Sequence, residues 1–312
     1  MPDNLTIKHI QPPQSRTQRY LMMLFRGLLK TTFRPVMGHP FPASFQRKMT
    51  TLLSVPMLKG TGASHQTTQI NGIKLHKIEP TAELNEAGAI LFIHGGAFCV
   101  GNYFSHRTLI HRLAAFSKLP VYAPDNRLAP EHPSPAALDD IYACFQHLLE
   151  HEGYQPQQIV IAGDSAGGYL TLALAQRLLE NQQLPAGVML ISSLIDLQLQ
   201  GDTLSSNAKV DPMLRMGWIK QAMAWANIQQ QVTFLEQDWT GLPPTLIQVG
   251  ELEMLLDDSR RIGAHLAACG VTTELNIYQG GWHDFHLQAQ YLTRSREAIE
   301  RLAEFARQRV SG

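Results

Sequence analysis

Ser165 stands in Gly163-Asp164-Ser165-Ala166-Gly167, a G-x-S-x-G pattern whose chemistry would be nucleophilic attack by a hydroxyl. Alone the pattern is weak, since it recurs by chance in many chains. Its setting carries the weight: an apolar run at 159–162 leads straight in, and a helical pattern at 168–180 leads straight out. A sharp strand-to-helix turn strains the serine and crowds its neighbours, so small residues must flank it. Such a turn raises the hydroxyl to the top of a sheet, at the positive end of the helix that follows. The alternative, a glycine-rich turn with an incidental serine, does not account for both flanks.

A serine hydroxyl needs a base within hydrogen-bond reach to become a useful nucleophile. Thirteen histidines compete for that post. Where a serine tops a parallel sheet in this way, its partners follow in the order serine, acid, histidine, with the base after the last strand. That strand is predicted at 273–278, and only His283 and His286 follow it. His283 comes directly after Gln279-Gly280-Gly281-Trp282, a loop able to present an imidazole, and takes the role. His286 opens the closing helix and reads as structural.

For the acid, Glu251, Glu253, Asp257 and Asp258 all follow a strand predicted at 245–249. Glu253, just past the turn at Gly250, is the favoured choice; its work is to hold the imidazole tautomer and stabilise the imidazolium. Asp257 is the alternative, although Asp257 and Asp258 also suit the first turn of a helix at 257–269, where carboxylates cap free N–H groups. A tetrahedral intermediate further needs N–H donors aimed at its oxyanion, each worth about 2.7–4 kcal/mol. Ala166, next after the serine, supplies one. The others are expected from Gly95, Gly96 and Ala97 in His94-Gly95-Gly96-Ala97-Phe98, which follows a strand predicted at 89–93. Paired glycines let that backbone approach a substrate closely.

These groups converge only if the chain folds as a layered sheet. Apolar runs at 89–93, 120–123, 159–162, 187–191, 245–249 and 273–278 alternate with helical patterns at 103–117, 136–150, 168–180 and 257–269. That alternation predicts an α/β fold with a mostly parallel central sheet, right-handed crossovers and helices on both faces. Asn71-Gly72 between alternating runs at 64–70 and 73–78 predicts an antiparallel hairpin opening the body, because both turn residues tolerate positive φ.

Two parts break the pattern: an amphipathic helix at about 19–30, and a long stretch between strands with helical pieces, 214–228 above all. Long insertions in α/β bodies tend to be lids or binding elements. A helical cap is therefore expected from 1–50 and 196–240, with the body at 51–195 and 241–312; a plain surface excursion is the alternative. Trp218, Trp225, Met213, Met216 and Met223 in the insertion read as core, not as an exposed interfacial lid.

Composition narrows the partners. Lys+Arg and Asp+Glu each number 26, and no basic stripe tracks a phosphate backbone, which argues against nucleic acid. A neutral surface suits a neutral, small-molecule ligand. Cys99, Cys144 and Cys269 are too few and too scattered for a disulfide framework, so a reducing cytoplasm is the expected location. The apolar cluster at 20–29 is too short to span a bilayer and is interrupted by Arg26 and Gly27. No ligand cluster with zinc-like spacing occurs, and neither a metal nor a cofactor is expected. A homodimer is an open assembly.

Four blocks, His94-Gly95-Gly96, Arg127-Leu128-Ala129-Pro130-Glu131-His132-Pro133, Gly163-Asp164-Ser165-Ala166-Gly167-Gly168 and Gly281-Trp282-His283-Asp284-Phe285, together resemble the hormone-sensitive-lipase-like group of α/β-hydrolases, its bacterial esterase branch in particular. The resemblance runs from about Ile90 to Phe285. It implies the α/β-hydrolase fold, a Ser165–Glu253–His283 triad, an oxyanion hole from the His-Gly-Gly loop, a cap, and hydrolysis of esters with short to medium acyl chains. Ala97 stands where the group usually has a third glycine, Glu253 where it usually has aspartate, and Asn126 and Ser134 where aromatics are more frequent. The block from Arg127 to Pro133 is expected to be structural. An amidase on the same triad and a non-catalytic small-molecule receptor are the alternative functions.

Overall fold

A computed structural model describes residues 4–57, 62–82, 84–85, 87–228 and 233–310. Residues 1–3 of the expected N-terminal cap part and 229–232 of the expected insertion lie outside the described residues. In chain order, β1 (Leu5–Ile10), α1 (Arg16–Thr32) and α2 (Ala43–Ser54) precede the hairpin of β2 (Ala63–Ile70) and β3 (Ile73–Pro80). There follow β4 (Ala89–Ile93), α3 (Tyr103–Ser117), β5 (Val121–Pro124), α4 (Ala136–Glu150), β6 (Ile159–Asp164), α5 (Ala166–Glu180) and β7 (Gly187–Ile191). After α6 (Thr203–Ser206) and α7 (Met216–Ala226), the chain closes with β8 (Thr245–Gly250), α8 (Leu256–Ala268), β9 (Thr273–Tyr278) and α9 (Thr293–Val310).

The strands form one sheet in the order β1-β9-β8-β7-β6-β4-β5-β3-β2. Among the described residues only the pairs β2–β3 and β3–β5 are antiparallel. At the tip of the hairpin Asn71 and Gly72 take φ of 51° and 84°, the left-handed pair that a tight hairpin turn requires. Every residue of β4, β6, β7 and β8 is buried, as expected for parallel strands covered on both faces. Their side chains alternate: Leu91, Ile161, Leu190 and Ile247 pack under α4, α5 and α8, while Phe92, Val160, Met189 and Leu246 pack under α3 and α9.

The N-terminus departs from expectation. Residues 5–10 form a strand, in parallel register with β9 from Leu5↔Thr273 to Ile10↔Tyr278, so they belong to the sheet and not to a helical cap. An edge strand with alternating partial exposure carries a faint sequence signal, and its partner lies at the far end of the chain. At the other boundary, α2 runs past residue 50 to Ser54.

The two irregular parts meet each other. Phe33 sits edge-on to Trp218 with centroids 5.8 Å apart, and Arg34 donates to the carbonyls of Leu214 and Ala208. Met22 of α1 and Met213 of the insertion share a cluster with Trp282 and Phe285. Arg47 of α2 is tied down to the body, donating to the carbonyls of Cys99 and Ala129 and pairing with Glu131. The Arg127–Pro133 block thus serves as an anchor, with Arg127 itself gripping the buried Asp140.

Candidate active site

Ser165 occupies the turn between β6 and α5 with φ 53° and ψ −121°, a conformation that costs a non-glycine residue about 1–3 kcal/mol. The surroundings hold it there. Its N–H donates to Ile191 O at 2.8 Å, and the flanking glycines admit contacts that no side chain could share. A Cβ on Gly163 would lie 2.4 Å from the carbonyl oxygen of Gly167. The strain is the means of projecting the hydroxyl above the strand ends.

The loop after β9 brings His283 to that hydroxyl: Nε2 is 2.9 Å from Ser165 Oγ, although the residues are 118 apart in sequence. On the other side of the ring, Nδ1 is 3.2 Å from Glu253 Oε2. Glu253 is fully buried, and its Oε1 accepts from Ser192 Oγ at 2.7 Å and from Gly250 N at 2.5 Å. Burial pushes its carboxyl up from the usual range, against the pull of His283 and these two donors. With Nδ1–H given to Glu253, Nε2 is free to accept the serine proton. Asp257, the alternative acid, faces elsewhere, accepting from Thr203 N and pairing with Arg260. His286 lies in the core against Gln248, and burial pushes it down to about 3, so it is neutral and structural.

The glycine loop after β4 needs one correction. Gly95, an expected oxyanion donor, already gives its N–H to Asp164 Oδ1 at 3.0 Å. Asp164, the residue before the serine, is itself buried and held by His106 Nε2 at 3.1 Å. Beyond Gly95 the chain curls through positive φ at Gly96, Ala97 and Phe98. A Cβ on Gly96 would meet Val100 O at 2.2 Å, so that position must be glycine. Among the described residues the amides of Gly96, Ala97 and Ala166 have no protein acceptor.

Sequence reasoning also missed Asp284. Its Oδ2 is 3.2 Å from His283 Nε2, the nitrogen that faces the serine, and its Oδ1 is buried without a partner. Burial, and then the neighbouring Asp164 and Glu253, push this carboxyl well up, although His283 pulls the other way. Burial opposes the imidazolium of His283, yet Asp284 and Glu253 outweigh it and push the ring up to about 10. The two groups are 3.2 Å apart, so each biases the other's charge: Asp284 favours the imidazolium of His283, and His283 favours the carboxylate of Asp284. Behind them, 3.1 Å apart, His106 is raised and Asp164 lowered, each overcoming burial through attraction to the other, which favours opposite charges on the pair. The only local signal for either aspartate is its place beside a candidate catalytic residue.

Ser165, His283 and Asp284 open onto a cleft of about 330 Å³. Phe25, Leu28 and Leu29 of α1, and Leu53 and Met57 at the end of α2, form much of its wall. Among the described residues no group of three or more His, Cys, Asp or Glu is arranged to hold a metal ion.

Residues 90–287 match the family model described as the alpha/beta hydrolase fold. The chain belongs to the α/β-hydrolase fold family. Within it, this hydrolase falls in the hormone-sensitive-lipase-like group. It is 37% identical over 250 residues to an esterase of Acinetobacter venetianus, covering 77% of this chain and 82% of that one. Esterase LipU of Mycobacterium tuberculosis is 38% identical over 231 residues, 70% of this chain and 77% of that one. Among solved structures, an esterase from the bacterial hormone-sensitive lipase family superposes with a TM-score of 0.86 at 28% identity, covering 96% of this chain and 100% of the other.

Proposed function

We propose that the chain hydrolyses carboxylic esters with short to medium acyl chains by two-step acyl transfer. Ser165 attacks the ester carbonyl while His283 takes its proton and passes it to the leaving alkoxide. Glu253 holds the ring and balances the imidazolium, and the amides of Gly96, Ala97 and Ala166 receive the oxyanion. A water activated by His283 then releases the acid. The observation that carries this reading is the continuous relay of Ser165, His283 and Glu253, at 2.9 and 3.2 Å, beside backbone donors with no other acceptor. Relatives named esterase, carboxylesterase and acetyl-hydrolase support it.

In the same reading α1, α2 and the insertion with α7 act as a cap over the cleft, supported by the walls they contribute. No described helix is long and apolar enough to cross a membrane. The three cysteines are free thiols, which favours the cytoplasm. Substituting Ser165→Ala and measuring 4-nitrophenyl butyrate hydrolysis tests the mechanism. Activity should fall about 10⁴-fold or more, and a fluorophosphonate should label the parent chain but not the variant. Retained hydrolysis by the variant refutes the assignment.

A further inference from the structure

Two cavities meet at Ser165, and they differ greatly in size. The larger is the cleft of about 330 Å³ already described. The smaller, about 20 Å³, lies toward α7 and is walled by Leu214, Trp218, Ile219 and Leu255 together with Ala97 and Ala166. A space of about 10–15 Å³ admits one water-sized group, so the smaller one favours an acetyl methyl over longer acyl chains. Most of its wall is fixed: Leu214, Trp218, Ile219 and Leu255 are all 5% exposed or less and belong to the main core. Trp218 borders both cavities and is braced by Phe33, so the partition between them is fixed.

The chemistry decides which part of an ester enters each. A tetrahedral carbon on Ser165 Oγ carries three other substituents. The oxyanion is committed to the amides of Gly96, Ala97 and Ala166. The alkoxy oxygen must lie beside His283 Nε2, which delivers its proton. His283 borders the large cavity and, among the described residues, not the small one. The acyl group takes the remaining direction, past Ala97 and Ala166 into the small cavity.

We infer that the substrates are acetyl-sized esters of bulky apolar alcohols, with the alcohol seated under α1 and α2 and the acyl group against α7. This inference rests on the ester-hydrolase reading above. The alcohol side is mostly apolar; apart from His106, His283 and Asp284, no histidine, lysine, arginine, aspartate or glutamate among the described residues lines it. It is also open at its rim, where Leu28 and Leu52 are 50% and 60% exposed, so a long chain continues outward along apolar side chains. In the reaction the Oγ–carbonyl bond forms and the alkoxy C–O bond breaks. The serine proton passes through His283 to the alkoxide, which leaves as free alcohol. Water then adds to the acetyl carbon, its proton returns through His283 to Oγ, and acetic acid departs.

The test varies one side of the ester at a time. With 4-nitrophenyl acetate, butyrate and hexanoate, kcat/KM should fall at least ten-fold from acetate to hexanoate. With ethyl, hexyl and octyl acetate it should rise by a similar factor, since each buried methylene discriminates. Ile219→Ala enlarges the acyl side and should raise the hexanoate-to-acetate ratio about ten-fold; Met223→Ala, at the half-buried edge of the same cavity, does so more mildly if Ile219→Ala folds poorly. Faster hexanoate than acetate cleavage with a flat alcohol series overturns the inference and leaves the hydrolase reading standing. No hydrolysis of any ester, with Ser165 unlabelled by a fluorophosphonate, removes the hydrolase reading and the inference together.

Discussion

Replacing Asp284 with asparagine removes a carboxylate 3.2 Å from His283 Nε2 and changes little else. Asparagine matches the aspartate in volume, and it tolerates the left-handed backbone, φ 52° and ψ 35°, that residue 284 adopts. At that separation and an effective dielectric of about 20, a full charge would attract the imidazolium by about 5 kcal/mol, enough to raise its pKa by almost four at about 1.36 kcal/mol each. Asp284 is itself pushed up by burial, which weakens that attraction, so its removal lowers the His283 pKa by less than this ceiling. The sign is definite. His283 works as a base only when unprotonated, and activity climbs as pH rises through its pKa. Lowering that pKa moves the acidic limb of kcat/KM to lower pH, and activity at pH 7 rises about ten-fold for every whole pH step the limb moves. The assay is a pH profile of kcat/KM with 4-nitrophenyl butyrate from pH 5 to 10, corrected for spontaneous hydrolysis. A limb that stays within about 0.3 pH of the parent's, or moves upward, refutes the claim that Asp284 raises the pKa of His283.

Other outcomes follow from the same geometry. Glu253→Ala should reduce kcat by about 10³–10⁴-fold, because the imidazole loses both its tautomer control and its counter-charge; Asp257→Ala, whose carboxylate accepts from Thr203 N and pairs with Arg260, should change it by no more than a few-fold. Steady-state kinetics of the pair decides between the two acids. Gly163→Ala places a methyl 2.4 Å from the Gly167 carbonyl, a backbone atom that cannot step aside. Thermal unfolding should show a loss of at least about 2 kcal/mol, with fluorophosphonate labelling reduced in the surviving folded fraction.

How much of this was legible beforehand depended on the range of the interactions involved. The turn at Ser165 and the hairpin at Asn71-Gly72 are governed by residues next to one another, where glycine placement and hydrophobic period dictate the backbone. The strand–helix alternation is equally local, and with the crossover rules it led to the mostly parallel sheet around the site. His283 followed from chain order and loop composition. By contrast, β1 is a strand only because β9 offers it a partner 268 residues later. The choice of Glu253 over Asp257 depended on how the chain leaves β8, which a spacing argument narrows but does not decide.

Composition, period and motif spacing were enough to determine an α/β sheet with a serine, a histidine and glycine-loop amides at its strand ends. The tertiary structure alone decided which amides are free, because Gly95 is claimed by a carboxylate 69 residues away. It alone placed Asp284 on the reacting nitrogen and gave the two sides of Ser165 such unequal room. The reason is physical: hydrogen-bond occupancy, local charge and cavity size are properties of atoms gathered from distant parts of the chain, and no local pattern encodes their sum.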